Sequence, residues 1–260
     1  MKKQITTIMT IIMLFFCSLG IGQAQVKKNA VDAEKIFSQK QIHAMQNVIH
    51  DYLLDNPELM LKVLHEIRVK EEMEQEKQAL QVIHNNYQSI FKDEYSPILG
   101  TTAPKVMLVE FFDYQCPHCK EMVPVIKKLV ADNPKLQVIF KEMPFYPGSK
   151  YAAKAALAAK AQGNYFDFHN ALFKLTRPLT KDKVLNEAKK IGLNIDKLKA
   201  DMKQPAITKE ITNNLSLAQK IGLAGTPTFI IQSVKDKQKT YYVPGQVSKQ
   251  KLQTTINQAK

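Results

Sequence analysis

Cys116 and Cys119 are separated by Pro117 and His118, between an apolar run, Val106 to Phe112, and an amphipathic run from Cys119 to about Asp132. The order reads strand, turn, helix. A thiol in the first turn of a helix lies among unpaired backbone N–H groups at the positive end of the helix dipole, which favours its thiolate. Cys116 occupies that position. Pro117 fixes φ at the start of the helix and gives up an N–H that would be unpaired there, and His118 adds positive charge when protonated. The competing chemistry is zinc binding, which requires four N or S ligands, commonly as two such pairs. The remaining candidates, Cys17, His43, His50, His65, His84 and His169, offer no second pair at finger-like spacing, so the pair reads as redox-active and no metal is expected.

The residues around this pair carry further expectations. Asp113 and Tyr114 flank the turn, with two readings open: contact with substrate, or simple termination of the strand. Phe166-Asp167-Phe168-His169 reads as an aromatic helix face with a surface histidine. Gly225-Thr226-Pro227-Thr228 interrupts a helical stretch just before a further strand, Phe229 to Gln232.

Residues 1–24 have the form of a secretory signal peptide: Lys2 and Lys3, an uncharged apolar run from Ile5 to about Ile21, then Gly22-Gln23-Ala24 as a processing site. The alternative, a retained anchor, needs about 20 apolar residues to span the membrane and would not end in such a site. Phe15 and Phe16 stand where a lipidated cysteine at Cys17 would need small residues. Cleavage after Ala24 leaves Cys116 and Cys119 alone, so no structural disulfide framework is expected although the compartment would permit one. The net charge of +13 on 260 residues comes from lysines scattered over the whole chain. No clustered Arg/aromatic stripe or groove-reading motif is present, which argues against nucleic acid as a partner.

From Asp32 to about Tyr95 the chain has no glycine, and Pro57 is its one proline. Ile42, Met45, Val48, Ile49, Tyr52 and Leu53 recur at helical spacing. Asn56-Pro57 restarts a helix whose stripe continues through Met60, Val63, Leu64 and Ile67. Lys70 to Gln78 is nearly all polar and reads as a solvated strut, after which Leu80, Ile83, Tyr87, Ile90 and Phe91 restore an apolar face. Two helices of this size cannot bury a stable core alone. Self-association through them is expected, most simply as a symmetric dimer, with a trimer as the alternative. The domain reading is therefore a signal peptide at 1–24, a helical oligomerisation segment at 25–69, a helical linker at 70–97, and an α/β domain at 98–260 with a helical insertion at about 148–222.

Glu110-Phe111-Phe112 followed by Cys-Pro-His-Cys, the helical insertion, and Gly-Thr-Pro-Thr before a strand resemble the DsbA/DsbG-like thioredoxin-fold disulfide oxidoreductases. The likeness covers about Thr101 to Lys260. The N-terminal helices, with Tyr52-Leu53-Leu54-Asp55-Asn56-Pro57-Glu58, resemble those of longer, oligomeric members related to ScsC and Com-type surface proteins. The resemblance implies a thioredoxin-like fold with Cys116 as nucleophile and Cys119 as resolving thiol. Pro117 and His118 would tune the potential, and Thr226 and a cis Pro227 would present backbone groups to substrate. It matches Glu110 to a buried acid that accepts protons near the second cysteine; a solvent-facing strand glutamate is the other reading. Lys141 is a candidate partner for Glu110.

No cofactor beyond the Cys116–Cys119 disulfide is implied. The implied partners are unfolded or misfolded secreted proteins and a membrane redox partner, and the implied location is the periplasm, with the outer membrane or cell surface as a further address. Cys-Pro-His-Cys resembles oxidases, whereas Thr226 and the self-association segment resemble isomerases and reductases, so the direction of exchange stays open. The rival reading is a non-enzymatic surface or assembly protein with a relic thioredoxin domain.

Overall fold

The computed structural model describes residues 36–260, so the expected signal peptide and Cys17 lie outside the described residues. The chain divides into two compact units, Met1–Glu66 and Ile67–Lys260. Within the first, α1 (Gln39–Asp55) begins at a capping box: the Ser38 side chain accepts from the Gln41 N–H, and the Gln41 side chain accepts from the Ser38 N–H at 2.9 Å. Asn56 donates back to the Tyr52 carbonyl at 2.7 Å, and Pro57 opens α2 (Pro57–Asn85). No residue of α1 is buried, and Val48, Ile49, Tyr52 and Leu54 are exposed. No helix among the described residues is long and apolar enough to cross a membrane.

The second unit is built on a five-stranded mixed sheet in the order β1-β3-β2-β4-β5. Its strands are β1 (Ile98–Gly100), β2 (Val106–Phe112), β3 (Leu136–Glu142), β4 (Thr228–Ser233) and β5 (Thr240–Pro244). β2 lies at the centre, parallel to β3 and antiparallel to β4, and all seven of its residues are buried. That burial explains its near-continuous apolar sequence. The side chains alternate between two cores. Val106, Leu108 and Phe112 join α4 (Pro117–Asp132), α5 (Ser149–Ala159), α6 (Tyr165–Lys174) and α10 (Lys249–Ala259) on one face. Met107, Val109 and Phe111 meet Ala79 and Ile83 from the end of α2, Ile90 and Phe91 of α3 (Tyr87–Phe91), and Leu217, Ala218 and Ile221 of α9 (Pro205–Ile221) on the other. The polar stretch Lys70–Gln78 is exposed, and burial begins at Ala79.

Between β3 and β4 the chain forms α5, α6, α7 (Lys181–Lys190), α8 (Ile195–Asp201) and α9. The short edge strand β1 gave no periodic signal. It pairs antiparallel with β3 through only three residues, beginning just after the Ser96-Pro97 break.

The same alternation overturns the pairing of Lys141 with Glu110. Glu110 shares a face with Leu108 and Phe112, whereas Lys141 is registered with Phe111 and lies on the opposite side of the sheet. There Lys141, 1 % exposed, is ion-paired to Asp93 at 2.7 Å, with Glu210 at 3.7 Å.

The loop entering α5 turns at Gly148, with φ +89°, and a Cβ there would run into the Leu179 carbonyl oxygen. Gly148→Ala therefore combines left-handed strain with a backbone clash and is expected to lower stability by about 1–3 kcal/mol in denaturant titration. An unchanged midpoint would contradict this role.

Candidate active site

β2 delivers its C-terminal end to the turn Asp113–Gln115, and α4 starts immediately after it. Cys116 is the N-cap of α4, with φ −74° and ψ 121°, and Pro117 holds the first helical position. The Cys116 N–H donates to the Asp113 carbonyl at 3.1 Å, and its carbonyl accepts from Lys120 at 3.2 Å. Although 110 residues apart, Cys116 and Thr226 meet because β4 pairs with β2, registering Phe111 with Thr228. The Thr226–Pro227 bond is cis, and the Cys116 thiol donates to the Thr226 carbonyl at 3.2 Å. The Pro227 carbonyl accepts from Gly245 at 2.8 Å and the Thr228 hydroxyl donates to Gly225 at 2.9 Å, fixing the loop from both sides.

The two thiols occupy opposite electrostatic environments. A hydrogen bond from the Cys119 thiol is the first cause that lowers the Cys116 pKa, to about 5; burial works against it, and the Thr226 side chain and the backbone N–H groups of Cys119 and His118 add to the lowering. Burial first, then Cys116 and the charge of Glu110, raise the Cys119 pKa far above the ordinary thiol value. Glu110 is buried on the face of the sheet that α4 covers; its pKa is raised to about 8 by burial and by the nearby Cys116 charge. The arrangement provides a ready thiolate, a buried second thiol that resists ionisation, and an acid that can carry a proton near neutral pH.

Asp113 and Tyr114 both turn inward. The Asp113 carboxylate accepts from the backbone N–H groups of Gln115 at 2.6 Å, Phe145 at 2.7 Å and Tyr146 at 3.1 Å, and from the Ser149 hydroxyl. It ties the reactive turn to the loop before α5. Gln115 adds a second tie: its side chain donates to the Pro147 carbonyl and accepts from the Leu179 N–H at 2.8 Å. The Tyr114 hydroxyl is bonded to His169 Nδ1 at 3.1 Å.

His169 is therefore not the surface histidine expected from Phe166-Asp167-Phe168-His169. It is buried among the rings of Phe112, Phe140 and Phe173, and burial first, then the Lys127 charge, pushes its pKa down to about 3. Its neighbours on α6 at three and four residues, Tyr165, Phe166, Leu172 and Phe173, are all apolar or aromatic, a signal that it faces inward.

The His118 ring is exposed, and its Nδ1 lies 2.6 Å from Gln246 Oε1; the Gln246 amide donates in turn to Glu121. Gln246 and Glu121 were not expected at the site, since nothing in their local pattern marks them.

A central β2 flanked by parallel and antiparallel neighbours, a Cys-x-x-Cys at a helix N-terminus and a facing cis proline define a thioredoxin-like fold and site. The profile of the DSBA-like thioredoxin domain matches residues 107–257, more than half of the chain, and the chain belongs to that family.

A thioredoxin-like oxidoreductase from Silicibacter pomeroyi is 37% identical with a TM-score of 0.62, the alignment covering 67% of this chain and 97% of that one. BcfH of Salmonella enterica Typhimurium is 26% identical with a TM-score of 0.73, covering 87% and 99%. Disulfide bond formation protein D of Bacillus subtilis is 28% identical over 149 residues, 52% of this chain and 67% of that protein. The chain also matches Na(+)/H(+) antiporters: to one from Salinispora tropica it is 26% identical over 52% of this chain, but it spans only 21% of the antiporter's length.

The thiol asymmetry generates a pH dependence of defined sign. Cys116 is depressed from an ordinary thiol value of about 8.5 to about 5. The stabilisation it gives the reduced protein is complete above the unfolded value and is lost as pH falls through the folded one. Glu110 acts in the opposite sense, but burial, its first cause, is present in both redox forms, so the difference between the forms chiefly isolates Cys116. Denaturation midpoints of the reduced and disulfide forms should diverge in favour of the reduced form as pH rises from about 5 to about 8.5. A gap that stays constant across that range would show that Cys116 is not a stabilised thiolate.

Proposed function

We propose that the chain is a periplasmic thiol–disulfide oxidoreductase that introduces disulfide bonds into secreted proteins through Cys116 and Cys119, with isomerisation as a second activity. The observation that carries this reading is the stabilised Cys116 thiolate beside a Cys119 that resists ionisation. A thiolate favoured in the reduced form makes the disulfide form the stronger oxidant, and a low-pKa thiol is the better leaving group.

In the oxidising direction, a substrate thiolate attacks Cys116 Sγ. The Cys116–Cys119 bond breaks, and Cys119 leaves with the electron pair, taking a proton from Glu110. A second substrate thiolate then attacks the substrate sulfur of the mixed disulfide, and Cys116 departs as its thiolate. Two electrons pass from the substrate thiols to the protein pair. Thr226 and Pro227 lie where backbone groups can pair with an extended substrate segment. Pro117 and His118 shape the potential, His118 through both its backbone N–H toward Cys116 and its exposed ring. A membrane redox partner returns the pair to its disulfide form, and no further cofactor is required.

Location rests on the secretory pattern of residues 1–24. Isomerisation rests on Thr226 and on the unpartnered apolar residues of the N-terminal helices, Ile49, Tyr52 and Leu54 of α1 and Leu61 and Leu64 of α2, which favour self-association as a dimer that could enclose substrate.

Cys116→Ala should abolish oxidation of a reduced test protein and refolding of a scrambled one; either proceeding at the parent rate would overturn the assignment. In cells, Cys119→Ser should accumulate mixed disulfides through Cys116 with many secreted proteins, whereas a relic domain would accumulate none. Removing residues 32–69 should reduce the mass measured by light scattering from an oligomer to a monomer, and an oligomer that persists would contradict self-association through these helices.

A further inference from the structure

Behind the cysteine pair, between α4, α6 and the sheet, lies a cavity of about 260 Å³. Its walls include Ile126 and Val130 of α4, Phe140 of β3 and Phe166 of α6. Two buried polar side chains line it: Glu110, 4 % exposed, and His169, 5 % exposed. The Glu110 carboxyl group makes no hydrogen bond among the described residues, and Tyr114 occupies only the Nδ1 side of His169. The exposed Lys127 also borders the space.

An apolar cavity of about 150 Å³ accommodates benzene, and a stably held water needs about two to four polar partners. This cavity is larger, and its walls are mainly hydrocarbon and aromatic ring. Its unpaired carboxyl group is the natural partner for one donor on an otherwise apolar molecule.

We propose that this cavity is a binding site for small planar aromatic molecules carrying a single N–H or O–H donor, of the indole or phenol class. The ring lies between Val130, Phe140 and Phe166, and the donor bonds to the Glu110 carboxyl group.

The test titrates indole and phenol separately into the full chain, with the pair reduced or as the disulfide, at neutral pH with calorimetric or NMR detection. Saturable one-site binding is expected for at least one probe, in both redox forms of the pair. Val130→Phe and Ala131→Phe fill the cavity from α4 and should each abolish binding while leaving the denaturation midpoint and the Cys116 titration near the parent values. Glu110→Met retains the side-chain volume without an acceptor and should weaken binding about fivefold.

Absence of saturable binding with either probe, binding that survives both filling substitutions, or a soaked crystal with only ordered water in the cavity would overturn the site. Undiminished affinity in Glu110→Met would overturn the part assigned to its carboxyl group. Binding is read without turnover, so loss of exchange activity in Cys116→Ala bears on the proposed function and not on the site.

Discussion

The structure depends on how one negative charge, the Cys116 thiolate, is accommodated at the start of α4. Helix N-termini present unpaired N–H groups to whatever occupies the N-cap, and here that group is a sulfur atom. The neighbouring Cys119 thiol and the backbone N–H groups of His118 and Cys119 stabilise the charge, and the Thr226 loop closes over it. Burial opposes the charge at both cysteines, but only Cys116 has enough donors to offset it. Two thiols of identical chemistry thus shift in opposite directions in acidity although only three positions separate them in the chain.

That arrangement is held by a division of labour across β2. Its even-numbered residues face α4 and α6 and include the buried acid Glu110; Glu142 of β3, registered with Phe112, is a second buried acid on that side and accepts from the Tyr165 hydroxyl at 2.6 Å. Its odd-numbered residues face the end of α2, α3 and α9, where Lys141, Asp93 and Glu210 form a separate buried charge cluster. Glu110 and Lys141 therefore lie on opposite faces of the sheet. Asp113, at the end of the same strand, spends its carboxylate on backbone donors of the turn and of the Phe145–Tyr146 loop, so the reactive turn is fixed by local hydrogen bonds as well as by core packing.

Much of this was legible in the sequence because it rests on local patterns. The apolar run of β2, the helix start at Pro117 and the Thr226-Pro227 interruption each announce themselves within a few residues. The stretch Lys70–Gln78 is charged and exposed, and the apolar residues after it mark where the chain rejoins a core. What was not legible depends on register and on distant partners. Nothing near Lys141 in the chain shows which face it takes, and only the parallel pairing of β2 with β3 places it on the opposite face from Glu110. Polarity alone places His169 at the surface, whereas the apolar residues three and four positions either side of it on α6 point inward. Gln246 reaches His118 from a loop whose position follows from the β4–β5 hairpin, which nothing near Gln246 reveals. The short strand β1 takes its identity from β3 and carries no pattern of its own.

The most direct test of the account is the reduction potential of the Cys116–Cys119 pair, measured at neutral pH by equilibration with glutathione. A thiolate stabilised as described lowers the free energy of the reduced form, so the potential should be less negative than about −200 mV, on the oxidising side of the glutaredoxins. A value at or below about −270 mV, as reducing as thioredoxin, would mean that the charge at Cys116 is not what sets the chemistry of this protein.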